Sequence, residues 1–172
     1  MTGLVPALEY HVVNSLGWRG LRPLQEAAVE PVRSGADCLL LAPTAGGKTE
    51  AAFFPLLSQM AEEGWQGLSV LYITPLRALL NNLPPRLASY GAWLGRSVGL
   101  WHGDVPDSER RRLLAERPDV LLTTPESLEA MLVSRRVDHR ALFAHIRAVV
   151  VDQIHALARD DPGGPLLALL ER

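Results

Sequence analysis

Lysine is nearly absent from this chain of 172 residues. Lys48 is the single lysine, and every other basic side chain is arginine. One compact, flexible ammonium is therefore kept where such a group is useful. Cysteine is equally scarce. Cys38 stands alone, which excludes an internal disulfide, and its apolar run Cys38-Leu39-Leu40-Leu41 marks it as a small core hydrophobe. There is no excess of positive charge, the formal net charge being −2. Any contact with nucleic acid must then come from a few placed groups and not from a general field. No stretch approaches the roughly 18 continuous apolar residues of a membrane span, and no basic-then-apolar leader opens the chain. No membrane partner and a cytoplasmic location are the expectation. Internal repeats and low-complexity tracts are missing too. What is present is ordinary: 48% apolar and 21% charged residues, enough for one domain with a proper core.

Apolar strands alternate with helical patterns along the chain. Helices are expected over residues 4–16, from Pro23 to Gly35 with a bend at Pro31, and from the end of residues 42–49 to Gly64 with an irregularity at Pro55. A helix from Pro75 is expected to break at Pro84-Pro85, and others to run from Pro106 to Glu116, from Pro125 to Val133 and from Ile154 to Ala158. Buried strands are expected over residues 37–41, 69–74, 98–101, 119–123 and 147–151, with a last apolar stretch, Leu166 to Leu170, after Gly163-Gly164. This order predicts an α/β fold with a mainly parallel sheet and helices on both faces. Ligands of such sheets sit beyond the carboxyl ends of the strands.

The sequence Ala42-Pro43-Thr44-Ala45-Gly46-Gly47-Lys48-Thr49 lies between an expected strand and an expected helix. That is the layout of a phosphate-binding loop. Small residues let the backbone curl so that N–H groups point inward, and the helix aims its positive end at the same spot. Lys48 adds a charge for the β- and γ-phosphates, and Thr49 a hydroxyl for Mg²⁺. The strict pattern has Gly where Ala42 stands, so a plain strand-to-helix turn remains the alternative. Later, Val149-Val150-Val151 ends in Asp152, a carboxylate placed to hold Mg²⁺ through its water shell. Alone, it could equally be a cap of the next helix.

Taken together these pieces resemble a known family. Asp152-Gln153-Ile154-His155 is similar to the Asp-Glu-x-His box of superfamily 2 helicases. Leu21-Arg22-Pro23-Leu24-Gln25 resembles the adenine-reading Q motif, and residues 42–49 resemble motif I, where Ala is tolerated first. Thr74-Pro75-Leu76-Arg77-Ala78-Leu79 resembles motif Ia, Trp101-His102-Gly103-Asp104 with Ser108-Glu109-Arg110-Arg111 the Gly-Asp segment, and Thr123-Thr124-Pro125-Glu126-Ser127-Leu128 motif Ib. The wording is nearest to the Lhr (large helicase-related) branch, which includes relatives in bacterial defence systems.

The resemblance implies a RecA-like ATP-binding domain with ATP and Mg²⁺ as cofactors. Arg22, Gln25, Thr44, Ala45, Gly46, Gly47, Lys48 and Thr49 would hold the nucleotide, with Gln25 pairing adenine. Thr49 and Asp152 would hold the metal. Lys48, Asp152, Gln153 and His155 would form the catalytic set. Pro75, Leu76, Arg77, Gly103, Asp104, Thr124, Pro125 and Ser127 would meet a nucleic-acid backbone, DNA before RNA, without reading bases. The run Arg110-Arg111-Arg112 is expected to be a solvated helix face.

Two departures stand out. The family has Glu where Gln153 stands, and Gln can hold a water without acting as its base. Mg-ATP binding with poor hydrolysis is therefore expected, whether Gln153 is natural or engineered. A Ser-Ala-Thr motif and a second RecA-like domain are also missing. The expectation is a first RecA-like domain over 1–172, incomplete at its C-terminus, with the second supplied by a longer chain or a partner. An RNA helicase domain and a non-catalytic nucleotide-dependent interaction module remain as alternatives.

Overall fold

Short aliphatic runs build the sheet. Val70–Ile73 (β1), Val98–Trp101 (β2), Val120–Thr123 (β3) and Ala148–Val151 (β4) are rich in β-branched and leucine side chains, which suit a pleated surface; β1 and β3 are buried throughout, whereas β2 and β4, expected as buried, are partly exposed at the sheet edges. In the computed structural model, which describes residues 3–43 and 45–157, they form one sheet in the order β2-β3-β1-β4. All three pairings are parallel, with Tyr72 opposite Leu122 on one side and Val150 on the other. Parallel neighbours require crossover connections, and the intervening segments supply helices for them.

The chain divides into two compact units, Met1–Trp65 with Trp93–Gly95, and Gln66–Ala92 with Arg96–Arg172. The first holds Pro6–Asn14 (α1), Pro23–Arg33 (α2) and Lys48–Glu62 (α3). Helices α2 and α3 are tied at their ends by an Arg33–Glu62 ion pair and by Gln59 Nε2 donating to Arg33 O at 2.7 Å. The Val5 N–H donates to Ser58 Oγ at 3.1 Å and draws the start of α1 to α3. Every residue from Phe53 to Met60 is buried, so α3 is enclosed on all sides rather than on one face. Both α2 and α3 run through their internal prolines, Pro31 and Pro55.

The second unit holds the sheet with Leu76–Leu79 (α4), Leu83–Trp93 (α5), Asp107–Glu116 (α6), Pro125–Val133 (α7), His139–Phe143 (α8) and Ile154–Leu157 (α9). One sheet face carries Leu71, Ile73, Trp101 and Leu121, which pack with Leu113 of α6, Leu128 and Met131 of α7 and Leu142 of α8.

Several expectations are corrected here. Residues 37–41 form no strand: Leu39 is 71% and Leu41 76% exposed, and Cys38 is an exposed thiol bonded to Ala36 O, not a core residue. An apolar run becomes a strand only when another backbone satisfies its N–H and C=O groups, and that partner is not encoded locally. Pro84-Pro85 do not break a helix. They stand in the first turn of α5, where the missing N–H costs nothing, and the break falls earlier, at residues 80–82. Helix α8, capped by Asp138 accepting from Ala141 N–H at 3.0 Å, escaped the pattern because five residues carry too little periodicity. Ala158, Gly163-Gly164 and the stretch Leu166 to Leu170 lie outside the described residues. No described helix is long and apolar enough to cross a membrane.

Leu121 is fully buried in the middle of β3. Leu121→Ala should lower unfolding free energy by about 3 kcal/mol, measured by urea denaturation.

Candidate phosphate loop and strand-end groove

In the first unit the chain enters α3 through two left-handed residues, Ala45 at φ 64° and Gly47 at φ 81°. Between them, Gly46 N–H donates to Pro43 O at 2.9 Å, which closes the turn. A Cβ on Gly46 would meet Ala42 Cβ at 2.7 Å and Pro43 O at 2.9 Å, so the turn has room only for glycine. A Cβ on Gly47 would overlap the carboxamide of Gln25. The α3 helix spans 15 residues from Lys48, and its first N–H groups have no intrahelical acceptor. Lys48 Nζ donates to Ala42 O at 2.6 Å and Pro43 O at 3.0 Å, so the ammonium is held by carbonyls of its own loop. Thr49 follows in the first turn of α3, half-buried.

Arg22 and Gln25 brace this loop. Gln25 is buried, and its Oε1 accepts the Arg22 N–H at 2.9 Å as the reciprocal half of a capping box on α2. Its Nε2 donates to Gly47 O at 3.4 Å, and the Arg22 guanidinium donates to Ala45 O. Both expected nucleotide residues therefore touch the loop, through its carbonyls. Thr44 lies outside the described residues.

In the second unit the parallel ladder brings all four strand ends to one side of the sheet. An open groove of about 1020 Å³ follows them. Its walls include Pro75, Leu76 and Arg77 after β1, Trp101 and Gly103 at the end of β2, Thr124 and Ser127 after β3, and Gln153 and His155 after β4. Asp104, Pro125 and Asp152 stand beside the groove and not on its wall. The β2 and β3 ends are joined by Thr123 Oγ1 donating to Trp101 O at 2.9 Å. Thr124 caps α7: its Oγ1 accepts Ser127 N–H at 3.2 Å and lies 3.1 Å from Ser127 Oγ. At Pro75 the expected helix start is a single turn, α4, of four residues.

Arg110 corrects the expectation of a solvated arginine run. Arg111 and Arg112 are exposed, but Arg110 lines the groove. Its Nη2 donates to His102 O at 3.0 Å and Gly103 O at 2.6 Å, and its guanidinium lies 5.6 Å from the Trp101 ring centroid. Only the fold shows this, because α6 must turn back over the β2 end before Arg110 can reach residues 102–103. Gln153 adopts φ 53°, left-handed for a side chain that rarely takes it, and is exposed together with His155. Asp152 is half-buried and accepts a hydrogen bond from the Tyr72 hydroxyl at 3.2 Å. Neither Arg110 nor Tyr72 was expected at the site. The one signal for Tyr72 is a phenol in an otherwise aliphatic strand.

A Gly-Lys-Thr loop at a helix start and a parallel sheet with a groove at its carboxyl ends define an α/β protein of the phosphate-loop class. The chain belongs to the DEAD/DEAH box helicase family, whose pattern matches residues 22–172. It is 37% identical over 165 residues to the Lhr helicase/probable uracil glycosylase of Mycolicibacterium smegmatis, a match covering 87% of this chain and 11% of that protein. The solved structure of Mycobacterium smegmatis helicase Lhr bound to ssDNA and AMP-PNP is similar at TM-score 0.77 and 32% identity, covering 90% of this chain and 21% of that one. The RNA helicase Prp28 from Chaetomium thermophilum bound to ADP reaches TM-score 0.83 at 24% identity, over 99% of this chain and 42% of that one. The expected RecA-like α/β class is borne out. The chain spans 11% of the curated M. smegmatis relative's length.

Gly47→Ala forces a Cβ into the left-handed region and against Gln25. It should cost about 1–3 kcal/mol of stability, read as a lowered thermal midpoint.

Proposed function

We propose that this chain is the ATP-binding part of a superfamily 2 DNA helicase or translocase of the Lhr type. The observation that carries the reading is the groove, where the ends of β1, β2 and β3 bring Pro75, Arg77, Gly103, Thr124 and Ser127 together. Arg77 supplies positive charge there, and the start of α7, which lines the groove through Thr124 and Ser127, adds the positive end of a helix dipole. Both suit phosphates and ignore base identity. DNA is favoured over RNA by the likeness to the Lhr structure bound to ssDNA.

The residues of the 42–49 loop fit a nucleotide triphosphate. Gly46 and Gly47 let the turn close where a Cβ would collide with Ala42, Pro43 or Gln25, the helix start offers N–H donors, and Lys48 is the one lysine of the chain. Phosphate oxygens would replace Ala42 O and Pro43 O as acceptors for Lys48. Thr49 would offer its hydroxyl to the magnesium of the nucleotide, and the ion would supply neutralisation of the phosphate charge. Gln25 touches the loop through Gly47 O, and the second N–H of its Nε2 would be the donor for adenine.

Gln153 would orient a water without taking its proton, so turnover is slow. The same neutral side chain favours a second reading, a module that binds nucleotide to order its surface and does not turn it over. A second RecA-like domain, from a longer chain or a partner, completes the motor in the first reading and is not needed in the second.

Calorimetry should find Mg-ATP binding that Lys48→Ala abolishes; binding that survives this change places the nucleotide elsewhere. Gln153→Glu, assayed with the second RecA-like domain joined, should raise nucleic-acid-stimulated phosphate release by roughly 10²–10⁴-fold. No gain would reject the motor and favour the binding module.

A further inference from the structure

The donors of Arg110 face inward. Nη2 bonds His102 O at 3.0 Å and Gly103 O at 2.6 Å, Nη1 lies 3.5 Å from Asp107 Oδ1, and Nε is buried with no hydrogen-bond partner among the described residues. A buried charged donor without a partner is costly, so stability alone does not call for arginine here. What the side chain does hold is the turn after β2. In that turn His102 O also accepts the Val105 N–H at 3.2 Å, and the Asp104 N–H donates to His102 Nδ1 at 3.3 Å. One backbone donor is left over: the Gly103 N–H meets no acceptor among the described residues. A planar trans peptide points its C=O and N–H in opposite directions, so a His102 carbonyl fixed on Arg110 turns the Gly103 N–H away from that arginine. Gly103 lines the groove, is not left-handed, and a Cβ on it would meet nothing within 4 Å. No neighbour in the turn requires glycine there, and the open space admits close approach of a ligand to the backbone.

We propose that Arg110 is a positioning residue of the groove: it fixes the His102 and Gly103 peptides so that the Gly103 N–H is the donor offered to a backbone phosphate, and it makes no phosphate contact itself. The reason lies in charge. Glu126 already stands on the groove wall. Carbonyl oxygens of the turn facing the same way would oppose a phosphate further, and the guanidinium both neutralises them and holds them on α6. An ammonium lacks the planar fork that spans two carbonyls while lying over an indole ring, so lysine does not replace arginine in this role. The inference rests on the nucleic-acid reading of the groove above. It goes beyond that reading by separating the residue that holds the turn from those that meet the strand.

The test uses the whole chain, wild type and Arg110→Lys, with a fluorescent oligo-dT strand followed by anisotropy. The variant keeps the charge and loses the fork. It should bind roughly tenfold more weakly, the worth of one hydrogen bond to a charged acceptor. In amide spectra the Gly103 resonance should respond to oligo-dT in the wild type and not in the variant, while the Ser127 resonance responds in both. Wild-type affinity in Arg110→Lys means that charge alone suffices at this position, and it overturns the role while leaving the nucleic-acid reading standing. Loss of the Ser127 response together with that of Gly103 assigns Arg110 to general folding and overturns it as well. A wild-type chain that binds no oligo-dT overturns both the role and the reading. A second measurement needs no variant: in the wild type the Gly103 amide should move on adding oligo-dT and the Arg110 Nε resonance should not follow it. An Arg110 resonance that moves with it makes the guanidinium a direct ligand, and a Gly103 amide that stays still removes the proposed donor; either result overturns the inference.

Discussion

Strand β1 is hydrogen-bonded on both edges, to β3 and to β4, and the second unit depends on that double ladder. Parallel pairing admits no hairpins, so each strand must be left by a crossover that starts at its carboxyl end. Those starts are Thr74-Pro75, His102-Gly103, Thr124-Pro125 and Asp152-Gln153. The groove is thus a consequence of backbone pairing, and its polar character follows because loop starts and helix caps are where Pro, Thr, Ser and Gly belong. The same ladder carries Tyr72 to Asp152 across eighty positions of sequence.

The loop of the first unit is governed by a different constraint, the satisfaction of buried polar groups. Gln25 is almost wholly buried, and its carboxamide is engaged at both ends, by the Arg22 N–H and by Gly47 O. Its oxygen caps α2 while its nitrogen holds the loop, so the segment 22–25 and the turn 45–47 constrain one another. Glycine at 47 is required twice, by its left-handed φ and by the carboxamide packed against it. Lys48, drawn back onto Ala42 O and Pro43 O, keeps its charge solvated by the loop itself.

Electrostatics in the groove rest on placement, as the net charge of −2 requires. Arg77 is exposed at the lip, whereas Arg110 is held on the wall by two carbonyls and the Trp101 ring. The first can follow a ligand. The second braces the Gly103 turn, with its Nη1 turned to Asp107 Oδ1 at 3.5 Å.

Much of this was written locally. The four strands, the helix starts at Pro23 and Pro125, and the Gly-Lys-Thr turn follow from hydrophobic period, proline and glycine chemistry over a few residues. The family follows from the order of short motifs along the chain. Tertiary structure alone decided the rest. Residues 37–41 had the composition of a strand and form none, because pairing is a property of two segments. Pro84-Pro85 open α5, because a proline excludes only the turn before it. Arg110 leaves the solvent and Tyr72 reaches Asp152, because a helix reversal and a parallel register bring together residues whose separation in sequence carries no sign of their contact.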